Sequence, residues 1–427
     1  MKNDCLFDTK VIQSGYDGDP ITHSTVPPLY MTNAYSFDST DHAKRLFELS
    51  EPGNIYSRLQ NPTCEFFEKK IADLDGGVGA LSFASGHAAI FNTVVNLCQE
   101  GDEVVSSINI YGGAVNLLGV SLKRLGINVK FVDPDDFEAW ENAVTDRTKL
   151  LFTEIVGNPN VNVADLEKIA AIAHRHGIPF AADSTFTTPY LCRPIEFGAD
   201  FVIHSATKFL AGHGSVMAGV VVDSGRFKFK DNPRFPLYNA PDPSYHGVVF
   251  ADLGESAFIL RLRALITRDF GACLSPFNAY LGIIGIETLS LRMARHCENA
   301  LAAAEFLESR SEVEKVNYPM LKSSKYHDRA QKYIPKGAGG VFTFELKGGR
   351  GAGAKFMDSL KLLKIVANVG DVRSMVIHPA TTTHSQLTPE QLKQSGISEN
   401  TVRLSIGLED KADIIADLEQ ALEKTKK

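Results

Sequence analysis

Asp200-Phe201-Val202-Ile203-His204-Ser205-Ala206-Thr207-Lys208 is a short apolar run that ends in two hydroxyls and a lysine. Upstream, Pro179-Phe180-Ala181-Ala182-Asp183 is built the same way, with apolar residues that do not alternate and then an acid. Continuous apolar runs of this length are expected of parallel strands covered on both faces. Between such strands the chain must cross over. Residues before each run supply the means, because Asp165 can cap a helix whose stripe is Leu166, Ile169, Ala170 and Ala173, closed by Gly177.

Working outward, the rhythm continues on both sides. Ala80–Ala84, Glu103–Ser106, Asn128–Val132, Leu150–Val156 and Val216–Val222 read as further strands of the same kind. Ala88–Leu97, Leu117–Leu125 and Phe137–Val144 read as helices between them. Strand, helix, strand repetition predicts an α/β sandwich around a mostly parallel sheet. Residues 1–60 carry Pro20, Pro27, Pro28 and Pro52 with little periodicity, and are expected to form an extended arm. Phe227–His246, with four prolines among Phe and Tyr, breaks the rhythm as a long loop, and is expected to cover a binding site. From Ser275 one helical pattern of roughly thirty residues is expected to lead into a second domain. That domain is predicted to hold strands at Val341–Leu346, Lys364–Val369 and Thr401–Ile406 and a last helix at Asp410–Thr425. The expected division is 1–60 arm, 61–280 large domain and 281–427 C-terminal domain.

Composition narrows the class. The 427 residues are 44% hydrophobic and 22% charged, a balance that supports packed cores and argues against disorder. Forty-four basic against fifty-one acidic residues give a net charge of −7, so a nucleic-acid footprint is not expected. No run reaches the ~18 apolar residues of a membrane helix, and Met1-Lys2-Asn3-Asp4 starts no secretory signal. Six cysteines at irregular spacing, without a CxxC pair, fit free thiols of a reducing compartment, and the cytoplasm is the expected location.

Four groups then fall at predicted strand ends, where ligands gather in open α/β sheets. Ser85-Gly86-His87 opens a helix and could present backbone N–H groups to an anion, although an ordinary strand-to-helix turn has the same spelling. Asp183 at the end of an apolar strand needs a cationic partner, which could be a ligand nitrogen or a structural arginine. Ser205 and Thr207 beside Lys208 can hold a phosphate while the amine reaches the same ligand. The Ser-x-x-Lys spelling also occurs in serine β-lactamases, but their Ser-Asp-Asn and Lys-Thr-Gly elements are missing. Asn158-Pro159 is the fourth. A competing motif, Gly349-Arg350-Gly351-Ala352-Gly353-Ala354 with Asp371 beyond it, nearly spells a dinucleotide fingerprint, yet no second βαβ unit follows.

The order Tyr56-Ser57-Arg58, Asn61-Pro62-Thr63, Ser85-Gly86-His87, Tyr111-Gly112-Gly113, Asn158-Pro159, Ala182-Asp183-Ser184, Ser205-Ala206-Thr207-Lys208 and Arg403-Leu404-Ser405-Ile406-Gly407 resembles the pyridoxal 5′-phosphate (PLP)-dependent Cys/Met metabolism family over nearly the whole chain. That family spans cystathionine γ-synthases, cystathionine and methionine γ-lyases and O-acetylhomoserine sulfhydrylases. The resemblance implies the aspartate-aminotransferase-like fold of PLP-dependent transferases: a large domain with a mostly parallel sheet, and a smaller C-terminal α/β domain. It also implies homotetramers of tight dimers with shared sites and small amino-acid substrates; the sequence itself carries no metal signature such as HExxH, and its charge and hydropathy suggest neither nucleic acid nor membrane as a partner.

Carried over residue by residue, Lys208 would hold PLP through its amine and act as the general base. Asp183 would face the pyridine nitrogen and Tyr111 would stack on the ring. Gly86, His87, Ser205 and Thr207 would hold the phosphate, joined by Tyr56 and Arg58 of a neighbouring subunit. Asn158 would bond the phenolic oxygen and, with Arg403, the substrate carboxylate. Asn368 stands where γ-lyases commonly have serine, as a further carboxylate contact. The segments Pro241–Gly247, Arg268-Asp269 through Asn278, and Asn368–Asp371 with Ser374 and Ile377–Ala380 point to γ-replacement on O-acetylhomoserine by sulfide, giving homocysteine. Gly113, where methionine γ-lyases tend to carry cysteine, weighs against elimination. The alternatives are a methionine or cystathionine γ-lyase and a cystathionine γ-synthase.

Overall fold

A computed structural model describes residues 5–48, 50–385, 390, 392 and 396–426. Two sheets organise them. The larger has seven strands: β1 (Gly79–Phe83), β2 (Glu103–Ser107), β3 (Asn128–Val132), β4 (Thr148–Glu154), β5 (Phe180–Asp183), β6 (Phe201–His204) and β7 (Gly219–Asp223), in the order β1-β7-β6-β5-β4-β2-β3. Strands β6, β5, β4, β2 and β3 pair in parallel. The apolar runs behave as their lack of alternation requires, since every residue of β4, β5 and β6 is buried. Leu151, Ala182 and Val202 face one core, and Leu150, Phe152, Ala181 and Ile203 face the other. Burying each large apolar side chain contributes roughly 1.5–3 kcal/mol.

The strand near Val216–Val222 corrects the expectation of one more parallel member. It starts at Gly219 and runs antiparallel to both β1 and β6. The chain after His204 forms the Ser205–Lys208 loop and no regular helix, so it lacks a crossover and re-enters the sheet from the same end.

Before the sheet lie two short helices, α1 (Phe7–Gln13) and α2 (Thr40–Phe47), in an otherwise irregular arm. The helix α3 (Pro62–Asp75) starts where its sequence dictates: the Asn61 side chain accepts from Thr63 N–H and Pro62 needs no donor. The helix α4 (Gly86–Leu97) is capped by Ser85, whose hydroxyl accepts from Ala88 N–H at 3.1 Å. The expected thirty-residue connector is two helices, Pro276–Glu287 and Leu289–Glu308, because Thr288 leaves helical geometry at φ −107°, ψ 13°.

The smaller sheet holds β8 (Val313–Asn317), β9 (Val341–Leu346), β10 (Lys364–Ile365), β11 (Met375–Ile377) and β12 (Thr401–Ser405), in the order β10-β11-β12-β9-β8. Of the expected strand Lys364–Val369 only two residues pair, and β8 and β11 have no counterpart in the sequence reading. Strand β9 is antiparallel to both neighbours, so the glycine motif that follows it opens an ordinary helix, Gly349–Ser359, and not a parallel crossover. Asp371 is occupied by Arg373, whose guanidinium donates to it at 2.9 Å. No residue of the proline-rich insert lines its own chain's cavity among the described residues. Phe229 and Tyr238 stack at 3.8 Å and, with Phe235, are buried in a core beneath the large sheet. Aromatic burial decides this, because these rings lose more by exposure than the loop gains by freedom.

Candidate active site

The C-terminal ends of β2, β4, β5 and β6, the start of α4, and the smaller sheet meet around one cavity of about 330 Å³. That volume lies within the range of small-molecule sites. Of the residues singled out in the sequence, Gly86, His87, Tyr111, Asn158, Asp183, Ser205, Thr207, Lys208, Asn368 and Arg403 all line it. Tyr56 and Arg58 do not. Both are exposed, with the guanidinium 5.5 Å from the Tyr56 ring and donating to the carbonyl of Arg268.

At one end, the first N–H groups of α4 have no partners within the helix. The sequence needs glycine there, because a Cβ on Gly86 would come within 2.6 Å of Ser205 Cβ. Ser205 is held by its own N–H, which donates to the Thr185 hydroxyl at 2.8 Å. Thr207 is partly committed elsewhere: its hydroxyl donates to Ala218 C=O at 3.1 Å and accepts Ala218 N–H at 2.9 Å. Helix N-termini with adjacent hydroxyls suit a phosphate. Beneath them the buried His204 ring meets Asp75 at 2.7 Å, anchoring the end of β6. Burial opposes a charge on His204, but the Asp75 carboxylate holds its pKa above the ordinary value.

At the other end Asp183 accepts Thr185 N–H at 2.8 Å. Burial raises its pKa, and the Thr185 hydrogen bonds and His204 do not reverse this. A buried carboxyl held this way has room for one strong cationic partner. Tyr111 is 39% exposed and meets His87 edge to face, with centroids 5.6 Å apart.

Lys208 reaches in from the loop after β6 and donates to Asn368 Oδ1 at 2.5 Å. The loop carrying Asn368 can approach because Gly370 adopts φ 73°, where a Cβ would press on Phe209 N at 2.8 Å. Burial, then the nearby Arg403 charge, pulls the Lys208 pKa down to about 8. Arg403 is buried in β12, and its guanidinium donates to Asn158 Oδ1 at 3.0 Å and Asn368 C=O at 3.4 Å. Burial lowers its own pKa to about 10, which leaves it charged at neutral pH.

Three polar cavity residues escaped the sequence reading: Glu154, Thr185 and Thr383. Glu154 could have been found as a second acid at an apolar strand end, the criterion that singled out Asp183. Thr383 had no signal, because only the folding of the smaller sheet onto the larger brings it close. The cavity fits PLP, since an anion cradle, a buried carboxyl, an aromatic face and a lysine of lowered pKa line one space of suitable size.

Comparisons with known proteins agree. Residues 8–423 match the family described as Cys/Met metabolism PLP-dependent enzyme. The O-acetyl-L-homoserine sulfhydrylase of Corynebacterium glutamicum is 48% identical over 418 residues, 97% of this chain and 96% of that protein. The homocysteine synthase of Schizosaccharomyces pombe is 46% identical over 420 residues, 98% of each chain. A solved structure of a putative O-acetylhomoserine (thiol)-lyase from Campylobacter jejuni, which contains N′-pyridoxyl-lysine-5′-monophosphate, aligns with a TM-score of 0.96 at 40% identity. The alignment covers 98% of this chain and all of that one.

Proposed function

The chain belongs to the Cys/Met metabolism family of PLP-dependent enzymes, and from that premise we propose that it makes homocysteine from O-acetylhomoserine and sulfide by γ-replacement. The observation that carries this reading is the half-buried Lys208 amine, with its lowered pKa, in one cavity with Asp183 and Arg403. The substrate follows from the full-length relatives that bear this activity in their names.

PLP, when bound, supplies a ring that takes up negative charge developing at the amino acid's Cα. The chain's own residues do the rest. Arg403 offers a planar fork to the substrate carboxylate, with Asn158 and Asn368 beside it. Gly86 and His87 N–H groups, Ser205 and Thr207 would hold the phosphate. Asp183 would hold the proton on the ring nitrogen, and Tyr111 would offer its ring as a stacking face. Lys208, about half of it neutral near pH 8, would remove the Cα proton from its place beside Asn368. A second proton loss, at Cβ, would then let the γ-acetate depart; hydrosulfide would add at Cγ, and protons would return to Cβ and Cα.

Tyr56 and Arg58 stand exposed outside their own chain's cavity, on an arm that also exposes Ile21 and Met31 at 85% and 66%. This supports a homo-oligomer, a tetramer of tight dimers, in which the arm completes a neighbour's phosphate site. Among the described residues no helix is long and apolar enough to cross a membrane. Cys64, Cys98, Cys192, Cys273 and Cys297 are free thiols, which fits a reducing cytoplasm.

The test is a steady-state assay of the holoenzyme with O-acetylhomoserine plus sulfide, beside methionine alone. Homocysteine formation is expected to outpace 2-oxobutyrate formation. Faster breakdown of methionine would replace this reading with a γ-lyase.

A pH dependence follows from Lys208. Only the neutral amine captures the PLP aldehyde, so capture by the cofactor-free protein is expected to speed up about tenfold per pH unit below about 8 and to level off above it. Arg403→Ala removes a positive charge that favours the neutral amine, so the inflection should move to higher pH. Stopped-flow absorbance over a pH series measures both.

A further inference from the structure

Glu154 ends β4 directly opposite Asp183 of β5 in the parallel register, so the two side chains share one face at the cavity floor. It is 8% exposed, and no lysine or arginine forms an ion pair with it among the described residues. Its Oε1 accepts the backbone N–H of Tyr111 at 2.8 Å, across forty-three positions of sequence. Tyr111 sits at the start of a five-residue helix and its side chain caps nothing, so this N–H bond is what ties the residue to the sheet. The backbone N–H of Asn158 also interacts with the Glu154 carboxyl. The carboxyl at the end of β4 thus holds the main chain of the loop after β2 by a hydrogen bond and interacts with the main chain of the turn that follows β4 itself.

We infer that Glu154 is a positioning residue, which sets the height of the Tyr111 ring over the cavity floor and holds the Asn158 turn beside it by accepting their backbone N–H groups. The role is one of reach and not of charge. A second ionised carboxyl facing Asp183 with no cation between them is unfavourable, and burial together with Asp183 keeps Glu154 protonated well above the ordinary range. A neutral carboxyl accepts through its carbonyl oxygen as a carboxamide does.

Two conservative variants separate reach from charge. Glu154→Gln keeps the length and an accepting oxygen and removes the ionisable group. Glu154→Asp keeps the acid and withdraws its oxygens by about 1.5 Å, one carbon–carbon bond. In the holoenzyme, residue-resolved hydrogen–deuterium exchange should leave the Tyr111 amide of Glu154→Gln as protected as in the parent. In Glu154→Asp that amide should exchange about tenfold faster or more, since a buried acceptor has been lost. Turnover should follow the same order, with kcat of Glu154→Gln within about threefold of the parent and kcat of Glu154→Asp down about tenfold. Any other order, including equal protection in both variants or loss in Glu154→Gln, overturns the inference. The inference rests on Tyr111 being the ring over the cofactor. Amide exchange reports the bond whichever product the enzyme makes, so a failed homocysteine assay and a failed Glu154 assignment are distinguishable.

Discussion

Replacing Lys208 by alanine is expected to lower kcat for homocysteine formation by roughly 10⁴-fold, the upper end of what a positioned proton-transfer group contributes. Few other lysines are placed to substitute for it. Lys149, also buried, donates to Arg234 C=O and lies outside the cavity. The variant should still fold, because among the described residues the Lys208 amine hydrogen-bonds to the Asn368 side chain alone and burial already disfavours its charge. Loss of the visible band of the covalently held cofactor, with unchanged far-UV circular dichroism, is the expected spectroscopic result. Borohydride reduction of the parent followed by peptide mapping should put the label on Lys208, and a label elsewhere would refute the assignment. The same variant tests the shared site. Mixed oligomers of Lys208→Ala and Arg58→Ala subunits should recover activity, because one kind of site in the hybrid then has both residues. Well-mixed hybrids without recovery would mean that each site is built from one chain.

Asp183→Asn is expected to cost about 10²–10³-fold in kcat, the scale of losing one preorganised electrostatic partner in a dry site. An amide at this position can accept a hydrogen bond but cannot stabilise a positive charge on the ring nitrogen. In the cofactor-free protein the effect on stability should have the opposite sign. Burial raises the Asp183 pKa above its unfolded value, so the folded state binds this proton more tightly. The resulting stability is present at low pH and is lost as pH rises through the folded pKa. Asparagine has no proton to lose. Cofactor-free Asp183→Asn should therefore melt above the cofactor-free parent at neutral pH, with the gap closing in acid. Thermal scans at several pH values measure this, and turnover close to the parent's would rule out the electrostatic role.

The parallel order of the large sheet was legible in the sequence because each strand there is a local pattern. Residues 180–183 and 201–204 are apolar without alternation, and burial on both faces leaves them no other place. The same holds for the site residues at strand ends. Asp183, Ser205, Thr207 and Lys208 stand within a few positions of the strands that carry them, so spelling and placement coincide. What the sequence could not determine depended on contacts between distant segments. The direction of Gly219–Asp223 depends on how residues 205–218 cross the sheet end, and an apolar run has the same spelling in either direction. The aromatic insert was spelled as a loop, yet Phe229, Phe235 and Tyr238 are held by a core formed from several elements. The descent of Lys208 towards about 8 needs burial that only the closed cavity provides and, after it, the charge of Arg403, 195 positions away. Glu154 carries the same strand-end signal as Asp183, but its bond to the Tyr111 N–H at 2.8 Å exists only in the fold. Local patterning encodes elements and the residues at their tips, whereas burial, electrostatic coupling and main-chain anchoring are sums over the neighbours that the tertiary structure supplies.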